Sequence, residues 1–142
     1  MREILFRGKR VDNGEWVYGA YYKQKQFYGD KMEKDCIITS DDVLSNDLGL
    51  DYEEVIPETV GQYTGLTDKN GKKIFEGDII YGAAHWLERY KKAVVIFQDG
   101  SFGLEWYRGN VREFNAFTSM CNVEYEIIGN VHDNKELLGE QA

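Results

Sequence analysis

Hydrophobic and polar positions alternate along most of this chain in short bursts, and most bursts end at glycine, asparagine or aspartate. Such period-two alternation marks a half-buried strand. Ile4-Leu5-Phe6 opens the first burst, Asp12-Asn13-Gly14 turns it, and Trp16-Val17-Tyr18-Gly19-Ala20-Tyr21-Tyr22 returns, which predicts a β-hairpin over residues 3–22. Asn-Gly accepts the positive φ that a tight hairpin turn requires. Trp16, Tyr18, Ala20 and Tyr22 fall on one face, and Val17, Gly19 and Tyr21 on the other. Both faces carry apolar bulk, so the pattern predicts a strand covered on both sides, by the rest of the fold or by a second subunit.

The bursts continue past this hairpin. Cys36-Ile37-Ile38-Thr39 reads as a short strand, Ser40 to Leu44 as a single capped helical turn, and Ser45 to Glu54 as an acidic loop. Val55-Ile56 resumes a strand that stops before Pro57, and residues 59–64 read as a strand with a glycine break at Gly61. Asp68 to Lys73 is a polar turn, followed by Ile74-Phe75, the Glu76-Gly77-Asp78 corner and Ile79-Ile80-Tyr81. Ala93 to Phe97 and Ser101 to Trp106 flank Asp99-Gly100 as a second hairpin. Val123, Tyr125 and Ile127 alternate as a last strand, and Asn134 caps a short turn that Gly139 ends. Residues 23–35, 82–92 and 107–121 lack a clear period, although Phe114 and Phe117 would share one helical face.

Many short strands with glycine-containing turns predict a mainly β protein, a β-rich domain of short antiparallel strands and hairpins with few short helices. The glycine corner, hairpin and final strand of the second half predict an SH3-like barrel there, a fold that hosts many functions. A soft boundary at Pro57 divides a loop-rich N-terminal lobe, 1–56, from a barrel-like lobe, 57–142, together one cooperative unit. A chain of 142 residues suits that organisation.

The formal charge of −8 weighs against duplex binding, which draws much of its affinity from Lys and Arg on phosphates. Arg2, Arg7, Lys9, Arg10, Lys23, Lys25, Lys31 and Lys34 gather early in the chain and read as a solvated face. Aromatics at 14%, with ten Tyr, suit both pleated surfaces and protein interfaces. Cys36 and Cys121 stand apart with no metal or redox spacing and are expected as buried free thiols. No apolar run approaches the about 20 residues that span a membrane, and the N-terminal run is too short for a signal peptide. A cytoplasmic protein without membrane contact is expected.

Candidate chemistry fails on spacing. His85 and His132 are isolated from any nucleophile motif and are too few to complete a zinc site. Asp68-Lys69-Asn70-Gly71 lacks the register of a calcium loop, and the glycines at 61, 65, 71 and 77 match neither a P-loop nor a Rossmann turn. Glu58, Glu76 and Asp78 could in principle divide acid and base roles, but turn capping explains Asp78 as well. Trp16, Tyr18, Tyr63, Trp86, Trp106 and Tyr107 are able to stack bases, yet no basic stripe interleaves them, which favours packing. No catalytic residue, metal ligand or cofactor is therefore assigned. Trp16, Tyr18, Tyr21 and Tyr22 form the candidate interface, and Asn70, Gly71, Gly77 and Asp78 the candidate structural turn.

Set in order, Phe6-Arg7-Gly8-Lys9, Gly14 to Gly19, Glu58 to Leu66, Asp68-Lys69-Asn70-Gly71, Ile74 to Ile80, and Ile127 to Val131 with Asn134 and Leu137-Leu138 closely resemble the YopX family of phage and prophage proteins. The resemblance runs over nearly the whole chain. It implies a β-rich protein encoded by a phage or prophage and acting inside a bacterial cell, and it implies no reaction. The expectation is a non-enzymatic binding or assembly protein, a homo-oligomer with a phage or host protein partner. The alternative is a nucleic-acid-associated accessory protein using the SH3-like half and the early basic residues.

Overall fold

Strands form where the alternating bursts stand. A computed structural model describes residues 3–25, 33–39, 51–83, 92–117 and 124–139. In chain order the strands are β1 (Phe6–Lys9), β2 (Trp16–Lys25), β3 (Glu33–Ile38), β4 (Tyr52–Glu54), β5 (Gly61–Thr67), β6 (Lys73–Phe75), β7 (Asp78–Ala83), β8 (Ala93–Gln98), β9 (Ser101–Arg108), β10 (Val111–Ala116) and β11 (Glu124–Asn130). Among the described residues there is no α-helix, and 3-10 turns occupy Pro57–Thr59 and Lys135–Leu138. The strands make two antiparallel sheets, a six-stranded one in the order β4-β3-β2-β1-β5-β6 and a five-stranded one in the order β10-β9-β8-β7-β11.

The chain divides into two compact units, Met1–Tyr63 and Thr64–Ala142, so β5 runs through the division. In the first unit β1 pairs with β2 from Phe6↔Gly19 to Lys9↔Trp16. Their connection is longer than a two-residue turn: the Gly14 amide donates to the Arg10 carbonyl, Arg10 donates to Glu15, and only Gly14 has positive φ. The Asn13 side chain instead accepts the Glu15 amide. The acidic loop expected to run to Glu54 ends in a strand, because β4 pairs with β3 through Ile38↔Tyr52 and Cys36↔Glu54. Val55 then bridges Arg10, while Val11 donates to Glu54 and Ile56 to Lys9, so the strand ends curl back on one another. Ile37 and Val55 are fully buried under this curl.

The curl crowds side chains at two strand positions. A Cβ at Gly8 would meet Val55 at 3.0 Å, and one at Gly19 would overlap the Ile38 carbonyl oxygen. The strand expected over 59–64 begins only at Gly61, because Pro57 opens a 3-10 turn in which the Thr59 hydroxyl donates to the Ile56 carbonyl.

In the second unit β8, β9 and β10 form a meander, and β11 returns to pair with β7. Asp99 and Gly100 both have positive φ, the type I′ pattern expected for that hairpin. Gly109 alone is positive in the next turn, the type II′ pattern. The segment left unassigned at 107–121 thus supplies β10, and Phe114 belongs to a strand, not a helix. Its ring lies over Gly103, where a Cβ would come within 2.7 Å of it.

Ile74, Ile80, Ala93, Val95, Leu104 and Trp106 make the core of this unit, with Phe117, Tyr125 and Ile127 packed against it. Fully burying each such aliphatic side chain contributes about 1.5–3 kcal/mol. The five strands follow the order β10-β9-β8-β7-β11, a meander whose last strand returns beside its first, and among the described residues no ladder joins β10 to β11 to close the barrel expected here. The outer edge of β11 is already occupied, since Tyr125 accepts the Lys69 amide and Ile127 donates to Asp68. The terminal turn also differs from expectation. Asn134 does not cap the 3-10 turn with its side chain but accepts the Asn130 amide at 3.1 Å. The helical turn expected at Ser40 to Leu44 lies outside the described residues.

Candidate interaction surface

The register of β2 decides which of its aromatics can meet a partner. Directly paired residues in an antiparallel ladder point to the same side. Trp16, Tyr18, Ala20 and Tyr22 therefore share a face with Lys9, Arg7, Ile38 and Cys36, and the pairing of Ile38 with Tyr52 brings Tyr52 to that face as well. Tyr18, Tyr22 and Tyr52 are 49%, 52% and 56% exposed, so this face presents a set of outward tyrosines. Tyr52 escaped the sequence reading because its neighbours are acidic, and only the ladder to β3 makes it part of a strand.

Trp16 is half-buried beneath cations. The Arg7 guanidinium lies 4.5 Å from its ring centroid and the Lys9 ammonium 5.7 Å away, both within cation–π range. Burial thus varies along one face: Arg7 and Cys36 are buried, Trp16 is half-buried, and Tyr18, Ala20 and Tyr22 are exposed. Burial also pushes the Cys36 thiol above its ordinary range.

Tyr21 faces the other way. Its ring packs 5.7 Å from Phe6, and its hydroxyl donates to the buried Asp35 carboxylate. That hydrogen bond, reinforced by burial, pushes the phenol up to about 12. Of the four aromatics singled out from sequence, three share the outward face and Tyr21 serves the interior.

The turn residues hold backbone. Gly71 and Gly77 have φ of 81° and 89°. The amides of Asn70 and Lys72 both donate to Asp68 Oδ1 at 2.9 Å. Asp78 is buried, and its Oδ2 accepts the Phe75 amide at 2.8 Å. Gly77 donates to Val95 and accepts from Val131, which fixes the corner between β8 and the end of β11. The sequence reading placed Asp68 at the start of the polar turn but gave its carboxylate no structural role. Burial alone would raise its carboxyl, but the amides of Ile127, Lys72 and Asn70 outweigh this and hold it below the ordinary carboxylate range.

Other candidates find plain roles or lie outside the described residues. Trp106 is in the core and Tyr63 is buried, whereas Tyr107 is exposed. The His132 amide donates to the Asn130 side chain. Among the described residues no cluster of His, Cys, Asp or Glu is placed to hold a metal, and no helix is long and apolar enough to cross a membrane. His85, Trp86 and Cys121 lie outside the described residues.

A family model described as YopX protein matches residues 5–139. A solved structure, that of protein EF1440 from Enterococcus faecalis, is similar to the chain at a TM-score of 0.56 and 25% identity, covering 97% of this chain and 99% of that one. No curated protein matches the chain.

Proposed function

The chain belongs to the YopX family, and on that premise we propose that it is a non-enzymatic binding or assembly protein of phage or prophage origin, working in the bacterial cytoplasm through protein–protein contacts and associating with itself. The observation that carries this reading is the outward set Tyr18, Tyr22 and Tyr52 beside Trp16. Tyr and Trp are enriched in interface cores, and a tyrosine tolerates both water and contact because its ring is apolar and its tip polar. The test is capture of phage or host proteins by the wild-type chain and by a Tyr18→Ser/Tyr22→Ser/Tyr52→Ser variant. Partners held by the wild type and lost by the folded variant support the face. An identical set of partners with both would remove it from the reading.

One observation favours nucleic acid as a second reading: Arg7 and Lys9 sit against Trp16 on the tyrosine face, so cations and aromatics are neighbours there. The net charge of −8 opposes it. Phosphate contacts weaken as salt rises, so gel shifts with single- and double-stranded DNA and RNA at low salt decide it. The absence of any shift would end it.

A further inference from the structure

We propose that the self-association named above, on which this inference rests, is a two-fold contact between the β2-β3-β4 face and the same face of a second copy, in which Lys34 of each copy pairs with Glu54 of the other.

The ladders bring three short rows of side chains to this face. Gln24 stands beside Lys34, Tyr22 beside Cys36 and Glu54, and Ala20 beside Ile38 and Tyr52. Tyr22, Ala20, Tyr52 and Glu54 are exposed, and Gln24, Lys34 and Ile38 are half-buried. Lys34 and Glu54 flank Cys36, and both charges reach it. Burial and then the Glu54 charge push its thiol up, while the Lys34 charge pulls it down. Cys36 itself is buried and leaves the contact to its neighbours.

The two charges do not meet within the chain. Among the described residues, ion pairs join Arg10 to Asp12 and Glu53, Lys23 to Glu33, Lys69 to Glu126 and Arg112 to Glu105, and neither Lys34 nor Glu54 takes part in one. Two copies of a chain with a net charge of −8 repel each other, so a stable contact between them needs a patch that is locally neutral. One cation and one anion at the centre of this face supply that. A two-fold axis presents the same two charges in reverse order, so each finds its opposite. A strongly acidic partner, or a nucleic acid, would instead meet Glu54 with a like charge.

The axis that exchanges the two charges also places the tyrosines. With about 3.3 Å per residue along a strand and about 4.8 Å between strands, Lys34 and Glu54 lie about 8 Å apart at the backbone. An axis lying between the two faces and crossing midway between these residues passes Cys36 and runs on to Tyr22. Tyr22 then meets Tyr22 of the second copy, an aromatic pair at the middle of the contact. Tyr52 comes to lie against Gln24 of the second copy, where its hydroxyl has an amide to bond.

The test is light scattering over a concentration series with charge-reversed variants. The wild type is expected at about twice the 16.5 kDa chain mass. Lys34→Glu sets anion against anion and Glu54→Lys sets cation against cation, so each alone should weaken association at least about tenfold. Mixed in equal amounts, the two variants should associate as the wild type does, because every cross-copy pair is again opposite in charge. Recovery on mixing also shows that both variants are folded. A wild type that is monomeric at every concentration would overturn the inference; capture of other proteins that depends on Tyr18, Tyr22 and Tyr52 would still stand as support for the wider reading of this face. Association unchanged in both single variants, or lost in both and not recovered on mixing, would overturn the Lys34–Glu54 pairing.

Discussion

The Asp68 carboxylate accepts the Ile127 amide at 3.1 Å, joining residues 59 apart in sequence. The same side chain closes the turn before β6 by holding the Asn70 and Lys72 amides. One buried carboxylate therefore shapes a turn and terminates the edge of the last strand. Asp68→Ala removes the acceptor that these three part-buried hydrogen bonds share, at a cost of at least about 1.5 kcal/mol, the low end for a hydrogen bond to a charged group. Denaturant unfolding should show the loss, with no increase in solubility to offset it.

The pH dependence of the Asp68 contribution follows from its depressed carboxyl. A group whose folded pKa lies below its unfolded value of about 3.9 contributes stability above that value and loses it as pH falls through the folded pKa. The wild type should thus lose stability relative to Asp68→Ala only below about pH 4. Parallel melts at neutral pH and at successively lower pH measure it; a constant difference between the two proteins down the series would contradict the assignment.

The Tyr21 phenol should ionise late, since its hydrogen bond to Asp35, reinforced by burial, pushes it up to about 12. Its folded pKa is raised, so the stabilisation is complete below the unfolded value of about 10 and is lost as pH rises through the folded one. Absorbance titration of phenolate should show a late component that Tyr21→Phe removes. The same substitution should cost about 1.5–3 kcal/mol near neutral pH, the range for a hydrogen bond to a charged group.

Gly19→Ala should be severe, because the new Cβ would overlap the Ile38 carbonyl in the neighbouring strand. Overpacking typically costs about 1–3 kcal/mol, and a backbone carbonyl cannot swing aside as a side chain does. Gly14 offers the comparison: nothing lies near its Cβ position, and its cost comes only from a φ of 73°. Thermal melts should rank Gly19→Ala well below Gly14→Ala.

Tyr18→Ser and Tyr22→Ser should leave folding nearly untouched. Both side chains are about half exposed, and substitutions at such positions usually stay within about 0.5 kcal/mol. Circular dichroism and melting should match the wild type. A large drop would mean that these rings support the sheet, and they would then be poor probes of partner binding.

What the sequence determined alone is local. Asp99-Gly100 and Asn70-Gly71 announce their turns because positive φ is accessible to few residues, and the turns form with those signs at Asp99, Gly100 and Gly71. The alternation of β2 separated Tyr18 and Tyr22 from Tyr21, because side chains alternate across any strand. The mainly β class and the family were legible on the same grounds. Tertiary structure decided the rest. Which face of β2 is open depends on β3 and β4, and Tyr52 joins that face only through its ladder to Ile38. The strand at 111–116 depends on Gly103 making room for Phe114. The tie between the turn before β6 and the last strand depends on Asp68 reaching Ile127. Each of these is a contact between residues distant in the chain, and local patterning specifies a strand's faces but not what lies against its edges.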